Sequence, residues 1–164
     1  MSAGYSGGCQ CGAVRFHVAA LLDTAHVCYC RMCQKAVGNF FAALIGVLHD
    51  DLSWTRGAPR SFSSSEHVDR GFCPDCGTPL FYHNLAGPHV SLTIGAFDEP
   101  EKIDLLYQVG TEGRHPSMLK LADIAVAGTT ENEDNAARVT AIKASNRQHP
   151  DHDTAVWPAA ELSR

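Results

Sequence analysis

Seven cysteines in three tight clusters carry the clearest chemistry in this chain. They are Cys9 and Cys11, then Cys28, Cys30 and Cys33, then Cys73 and Cys76. Thiolates spaced so closely are metal donors, because sulfurs from one tight turn can reach the same ion. A disulfide framework fits poorly. The count is odd, so one thiol would be left over, and C-x-C neighbours bridge only with strain. The stretch Met1–Gly8 is small and polar, with no apolar signal core, which leads to the expectation of a cytoplasmic protein in a reducing compartment.

Cys73-Pro74-Asp75-Cys76-Gly77 reads as a zinc knuckle. Pro74 fixes the turn, and Gly77 can adopt positive φ just beyond it. A knuckle supplies two ligands and a structural zinc takes four. Two divisions are compatible with the count. Either Cys9 and Cys11 complete the site with Cys73 and Cys76, or two cysteines of the middle cluster do. The middle three lie within six consecutive residues, and splitting them would strand one thiolate, so the first division is preferred. Cys28, Cys30 and Cys33 would then hold a second zinc with one open position, the arrangement of catalytic zinc. Three thiolates make such a centre a poor activator of water and a suitable holder of an incoming thiol. The competing reading closes this site with a histidine, for which His26, His49, His67, His83 and His115 are available.

The clusters need elements to hold them. Ala13–Val18 alternates, with Val14, Phe16 and Val18 on one face, as in a half-buried strand. Phe40–Val47 is a short apolar run and reads as a buried strand, with a short helix as the alternative. Ser53–Phe72 reads as short strands with turns at Gly57-Ala58-Pro59 and near Ser63-Ser64-Ser65. Leu80–Tyr82, Val90–Ile94 and Ile103–Val109 are expected as further strands. After Gly128 the composition shifts. Thr130-Glu131-Asn132-Glu133 has the form of a capping box, and Ala136, Val139 and Ile142 follow at helical spacing, which predicts one short helix. The whole reads as all-β, with a zinc-binding domain over residues 1–128 and a C-terminal extension over 129–164.

The chain has 164 residues, 45% of them hydrophobic and 19% charged, with a formal net charge of −5. This argues for one globular domain. It argues against a general nucleic-acid or membrane-surface role, which would require a basic excess. No apolar run approaches the ~20 residues of a bilayer span.

In order and spacing, the clusters resemble the glutathione-dependent formaldehyde-activating enzyme (GFA, or CENP-V/GFA) family. The resemblance rests on Gly8–Gly12, on Cys28-Tyr29-Cys30-Arg31-Met32-Cys33-Gln34-Lys35 and on Gly71–Gly77, and covers roughly Tyr5 to Leu119. It implies an Mss4-like fold, small antiparallel sheets arranged like a tent and pinned by zinc. It implies a structural zinc on Cys9, Cys11, Cys73 and Cys76 and a second zinc on Cys28, Cys30 and Cys33. The implied activity is that of a carbon–sulfur lyase, joining glutathione to formaldehyde or running in reverse. The chain departs from the family pattern at Tyr29, where members often have His. It departs again at His115-Pro116-Ser117-Met118, where many carry Pro followed by Trp, and in the tail beyond Gly128.

On this reading the partners are a small-molecule thiol such as glutathione and an aldehyde. Tyr29, His26 and His67 are candidate proton donors, and Arg31, Lys35 and Arg70 are candidate partners for the thiol's carboxylates. Two other classes stay open: a non-catalytic, zinc-stabilised binding or chaperone-like module, and a redox-active thiol set at Cys28, Cys30 and Cys33. In the tail, His149-Pro150-Asp151-His152-Asp153 reads as a solvated turn or a weak metal tract. Trp157 suggests that the tail docks on the domain or on a second subunit of a homodimer.

Overall fold

A computed structural model of the chain describes residues 4–128 and 135–158. The capping box expected at Thr130–Glu133 lies outside them. The architecture is mainly β, in two sheets. The smaller sheet has strand order β1 (Tyr5–Gly8), β2 (Arg15–Val18), β5 (Leu52–Arg56). The larger has the order β10 (Tyr107–Val109), β3 (His26–Cys28), β4 (Ala42–Leu48), β9 (His89–Thr93), β8 (Pro79–Asn84), β7 (Val68–Phe72), β6 (Arg60–Ser65). Among the described residues, no helix is long and apolar enough to cross a membrane.

Phe16 and Val18 of the small sheet are fully buried against Ile45, Val47, Leu80, Val90 and Leu92 of the large one. Phe16 meets the rings of Trp54 and Phe97 edge-on, at centroid distances of 5.9 and 5.1 Å. Burying each such side chain contributes roughly 1.5–3 kcal/mol, so this inter-sheet layer is the main apolar source of stability. The β4 run is apolar throughout because the strand is central and covered on both faces. Ile45 and Val47 enter the main core, while Ala42 and Leu44 enter a second cluster with Cys28 and Cys33. The two thiol sets thus belong to core clusters on opposite faces of one strand.

Several expectations change. Gln34 and its neighbours form a helix, α1 (Arg31–Val37), not anticipated inside the middle cysteine cluster. Cys30 caps it, its sulfur accepting from the Cys33 N–H at 3.4 Å, and Gly38 ends it in the left-handed conformation. The pairing is not wholly antiparallel, since β10 runs parallel to β3. The strand expected over Ile103–Val109 is only Tyr107–Val109, because Pro100–Lys102 forms a 3-10 turn that buries Ile103. The β6–β7 turn falls at Glu66-His67; Ser63 and Ser65 are still in the ladder. The C-terminal helix is α2 (Ala136–Ala144), with Asn135 at its N-cap.

Arg15 alternates with Val14 and Phe16, a position that faces solvent on a half-buried strand, yet it is 2% exposed. Its guanidinium makes a two-pronged bond to Asp98 at 2.7 and 2.6 Å and a further pair of bonds to Asp153. A buried guanidinium needs such partners to offset its lost hydration. Asp153 lies in the tail, so this ion cluster also fastens the C-terminal segment to the sheet.

Candidate metal centre and the cavities beside it

Two loops bring the first four thiols together, and they are built alike. In one, the Cys9 N–H donates to Val14 O and the Gly12 N–H to Cys9 O. In the other, the Cys73 N–H donates to Thr78 O and the Gly77 N–H to Cys73 O. Gly12 and Gly77 have φ of 78° and 76°, a region that favours glycine. The Gln10 N–H reaches across to the Thr78 hydroxyl at 3.0 Å and ties the loops together.

The sulfurs of Cys9, Cys11, Cys73 and Cys76 all lie within 4.8 Å of one another. Cys9 and Cys11 are 3.6 Å apart, Cys11 and Cys73 3.9 Å. Tetrahedral zinc with Zn–S bonds of about 2.3 Å places its sulfurs about 3.8 Å apart, so the donor set fits that ion. The Val14 N–H also points at Cys9 Sγ, at 3.2 Å. Burial pushes the Cys11 and Cys73 thiols up, Cys73 to about 11. Burial also disfavours the Cys76 thiolate, but donation from the Thr78 hydroxyl and backbone and from Cys11 outweighs it and brings Cys76 down to about 6. Cys76 can ionise easily, whereas Cys11 and Cys73 favour the thiolate only beside a cation.

The second set has the same logic with three sulfurs. Cys28 ends β3, Cys30 caps α1 and Cys33 sits in the first turn of α1, so a strand end and a helix start place all three within 4.8 Å. Burial raises the Cys28 thiol to about 12. Cys30 is lowered: burial opposes its thiolate, but the Cys33 N–H and the neighbouring thiols more than compensate. Among the described residues, neither set includes a histidine or a carboxylate. Cys28 and Cys33 are buried, while Cys30 is partly accessible.

Gln34 holds this loop in place. Its amide N–H groups donate to Tyr29 O and Gly113 O, both at 2.7 Å, and Arg31 donates to its oxygen. Nothing in the cysteine spacing signals that role. The Arg70 guanidinium stacks on the Tyr82 ring at 5.1 Å and donates to Cys33 Sγ at 3.5 Å. It therefore sets a positive charge beside the three thiols.

Residues 4–111 match the family model described as glutathione-dependent formaldehyde-activating enzyme. The chain belongs to that family. The fold has a counterpart in the crystal structure of a Rhodobacter sphaeroides protein studied as a structural genomics target. The TM-score is 0.53 at 23% identity, over 63% of this chain and 99% of that one. The matched region contains all seven cysteines of this family member.

Other candidates fall elsewhere. Tyr29 is buried, edge-on to Phe41, with Arg114 over its ring. His26 stacks on Tyr107 and bonds Thr24 O. His67 is exposed at the β6–β7 turn, where its N–H meets Ser65. His49 and His83 pack on each other, and His115 packs on Phe40. In the stretch from His149 to Asp153, Asp151, His152 and Asp153 are exposed, as expected of a solvated turn, but its first residue is not. His149 is 4% exposed, its N–H donates to Gln10 O, and its ring lies over Gly12. Trp157 Nε1 donates to Cys11 O at 2.8 Å, so the tail docks on the domain.

Two cavities flank α1, and Arg31 and Lys35 border both. One, of about 560 Å³, is walled by Ala42, Leu44, Phe72 and Phe81 and reaches Arg70. The other, of about 680 Å³, is lined by Gln34, Asn39, Glu112, Arg114 and His115.

Proposed function

We propose that the chain is a zinc-dependent carbon–sulfur lyase that joins a glutathione-like thiol to an aldehyde, or reverses that addition. The observation that carries this reading is the convergence of Cys28, Cys30 and Cys33 with no fourth side-chain donor among the described residues. On this reading Cys9, Cys11, Cys73 and Cys76 hold a structural zinc, and the three-thiol set is the reactive centre. Zinc bound there would favour the thiolate form of an incoming thiol.

The chain's own residues supply the rest. Gln34 fixes the loop that carries Cys30, and Arg70 offsets negative charge at Cys33. Arg31, Lys35 and Arg114 line the polar cavity and suit the two carboxylates of glutathione. Tyr29 is closed off by Phe41 and Arg114 and is poorly placed to pass a proton to solvent.

Metal analysis with a glutathione titration tests this reading. Two zinc ions per chain are expected, one exchangeable, with glutathione perturbing only the exchangeable one. Cobalt substitution would report it as a change in the thiolate charge-transfer bands. Glutathione that neither binds nor changes the spectrum would remove the lyase reading and leave a scaffold with two inert metals.

A further inference from the structure

The cavity of about 560 Å³ beside the three-thiol set does not suit either substrate in the family's description. Formaldehyde has two heavy atoms and is close to water in size, about 30 Å³. Glutathione could meet Arg31, Lys35 or Arg70 with its carboxylates there, but its peptide groups would lie against Ala42, Leu44, Phe72 and Phe81, and each polar group left unpaired would cost about 1–3 kcal/mol. The polar cavity on the other side of α1 offers those groups partners.

The apolar cavity is nonetheless shaped. Gly71 is buried, and a Cβ at that position would overlap the Phe81 ring, so glycine lets the ring lie flat on β7 and form the floor. Phe62 and Met32 border the cavity while 63% and 73% exposed, leaving apolar surface in water that core packing does not explain. Arg70 both lines the cavity and touches Cys33 Sγ, and so links the cavity to the thiol set.

We propose that this cavity takes the apolar body of the aldehyde, so that the preferred carbonyl substrate carries an aromatic ring or a medium-length alkyl chain. The inference rests on the lyase reading above and names its second substrate class. The two substrates then approach the thiol set from opposite sides of α1, thiol from the polar cavity and aldehyde from the apolar one. The thiol sulfur attacks the carbonyl carbon and the C–S bond forms as the C=O π pair moves to oxygen. The thiol gives up one proton and the oxygen takes one, so the product is a hemithioacetal and nothing is oxidised or reduced. Arg70 is the donor that faces the developing oxyanion.

The test uses the full metal-loaded chain with glutathione and either 3-phenylpropanal or formaldehyde, following hemithioacetal formation above the uncatalysed rate. Binding of 3-phenylpropanol, which lacks the carbonyl, is measured separately by calorimetry. 3-Phenylpropanal should exceed formaldehyde in kcat/KM by at least about tenfold, the scale on which an apolar pocket discriminates. 3-Phenylpropanol should bind. Phe62→Glu, at an exposed strand position, should reduce both the alcohol's affinity and the phenylpropanal-to-formaldehyde ratio, with circular dichroism confirming that it folds. If formaldehyde is the better substrate or 3-phenylpropanol does not bind, the inference is overturned while the lyase reading stands. If no aldehyde is consumed and glutathione does not bind, the lyase reading falls and takes the inference with it.

Discussion

The indole N–H of Trp157 donates to the carbonyl oxygen of Cys11, 146 residues away in sequence, at 2.8 Å. The C-terminal tail therefore packs on the loop that carries two of the four clustered thiols. Arg56 reinforces the contact: its guanidinium donates to Gly12 O, to Thr154 and to the His149 ring. Loss of the tail should loosen this loop. Deleting residues 146–164 should lower the melting temperature and speed metal transfer from the four-thiol set to a chelator. Trp157→Phe should give a smaller effect, about 0.5–1.5 kcal/mol for one hydrogen bond. Gly12→Ala should exceed it, because the left-handed φ is strained for alanine and the Cβ would meet His149. An unchanged chelation rate in all three would show that the tail does not brace the loop.

The two carboxylates on Arg15 should differ sharply in worth. Asp98 has an 11% exposed side chain and a paired, two-pronged geometry, whereas Asp153 is 54% exposed. Asp98→Ala leaves a buried guanidinium half-satisfied and should cost about 3–5 kcal/mol. Asp153→Ala should cost about 1 kcal/mol or less. Urea denaturation of both variants checks the ranking; equal losses would contradict it.

Tail docking should weaken in acid. Burial holds His149 below its ordinary value of 6.5, with Arg15 and Arg56 adding to the shift. The unfolded chain then binds the proton more tightly than the folded one. The stability from neutral His149 is complete above pH 6.5 and declines as the pH falls below it. At Asp153 burial works upward, but Arg15 outweighs it and the carboxyl ends below 3.8, so its contribution disappears in a second, more acidic window. The melting temperature should drop as the pH falls below 6.5, and less so in His149→Gln. Parallel curves for the two proteins would exclude His149 as the source.

The two thiol sets should respond differently to loss of one sulfur. Cys9 and Cys73 belong to the main core, at 4% and 0% exposure. A structural zinc site of this kind is worth about 10–16 kcal/mol, as much as the roughly 5–15 kcal/mol net stability of a domain. Cys76→Ser should therefore leave the chain largely unfolded. Cys30→Ser should fold, retain about one zinc per chain and lose glutathione binding. Metal analysis and circular dichroism distinguish these outcomes, and a folded, fully metallated Cys76→Ser would refute the assignment.

Gln34 should behave as a positioning residue. Gln34→Ala leaves the Tyr29 and Gly113 carbonyls without their amide donor, at about 1–3 kcal/mol each. Gln34→Glu keeps the size but offers oxygens to two carbonyls and should be as harmful. The readout is the charge-transfer spectrum of cobalt at the three-thiol set, which a purely global loss of stability would not shift in position.

The sequence by itself determined the ligand inventory and its grouping. Seven cysteines in C-x-C, C-x-C-x-x-C and C-P-x-C-G spacing leave few ways to satisfy a tetrahedral ion, and the sulfurs do meet as four and three. It also determined most strands, since alternation at Val14, Phe16 and Val18 and the apolar run after Phe40 follow from which faces are covered. Residues 31–37 were legible only as a ligand loop. Their helix depends on Cys30 capping its own turn and on Gln34 bonding Gly113, a partner distant in sequence. The burial of Arg15 and of His149 was hidden for the same reason: each is made tolerable by groups more than eighty residues away. Tertiary structure alone decided that β4 is covered on both faces, that Arg70 comes to Cys33, and that α1 divides a polar cavity from an apolar one. Spacing along the chain limits which donors can share an ion. Only packing decides what stands next to it.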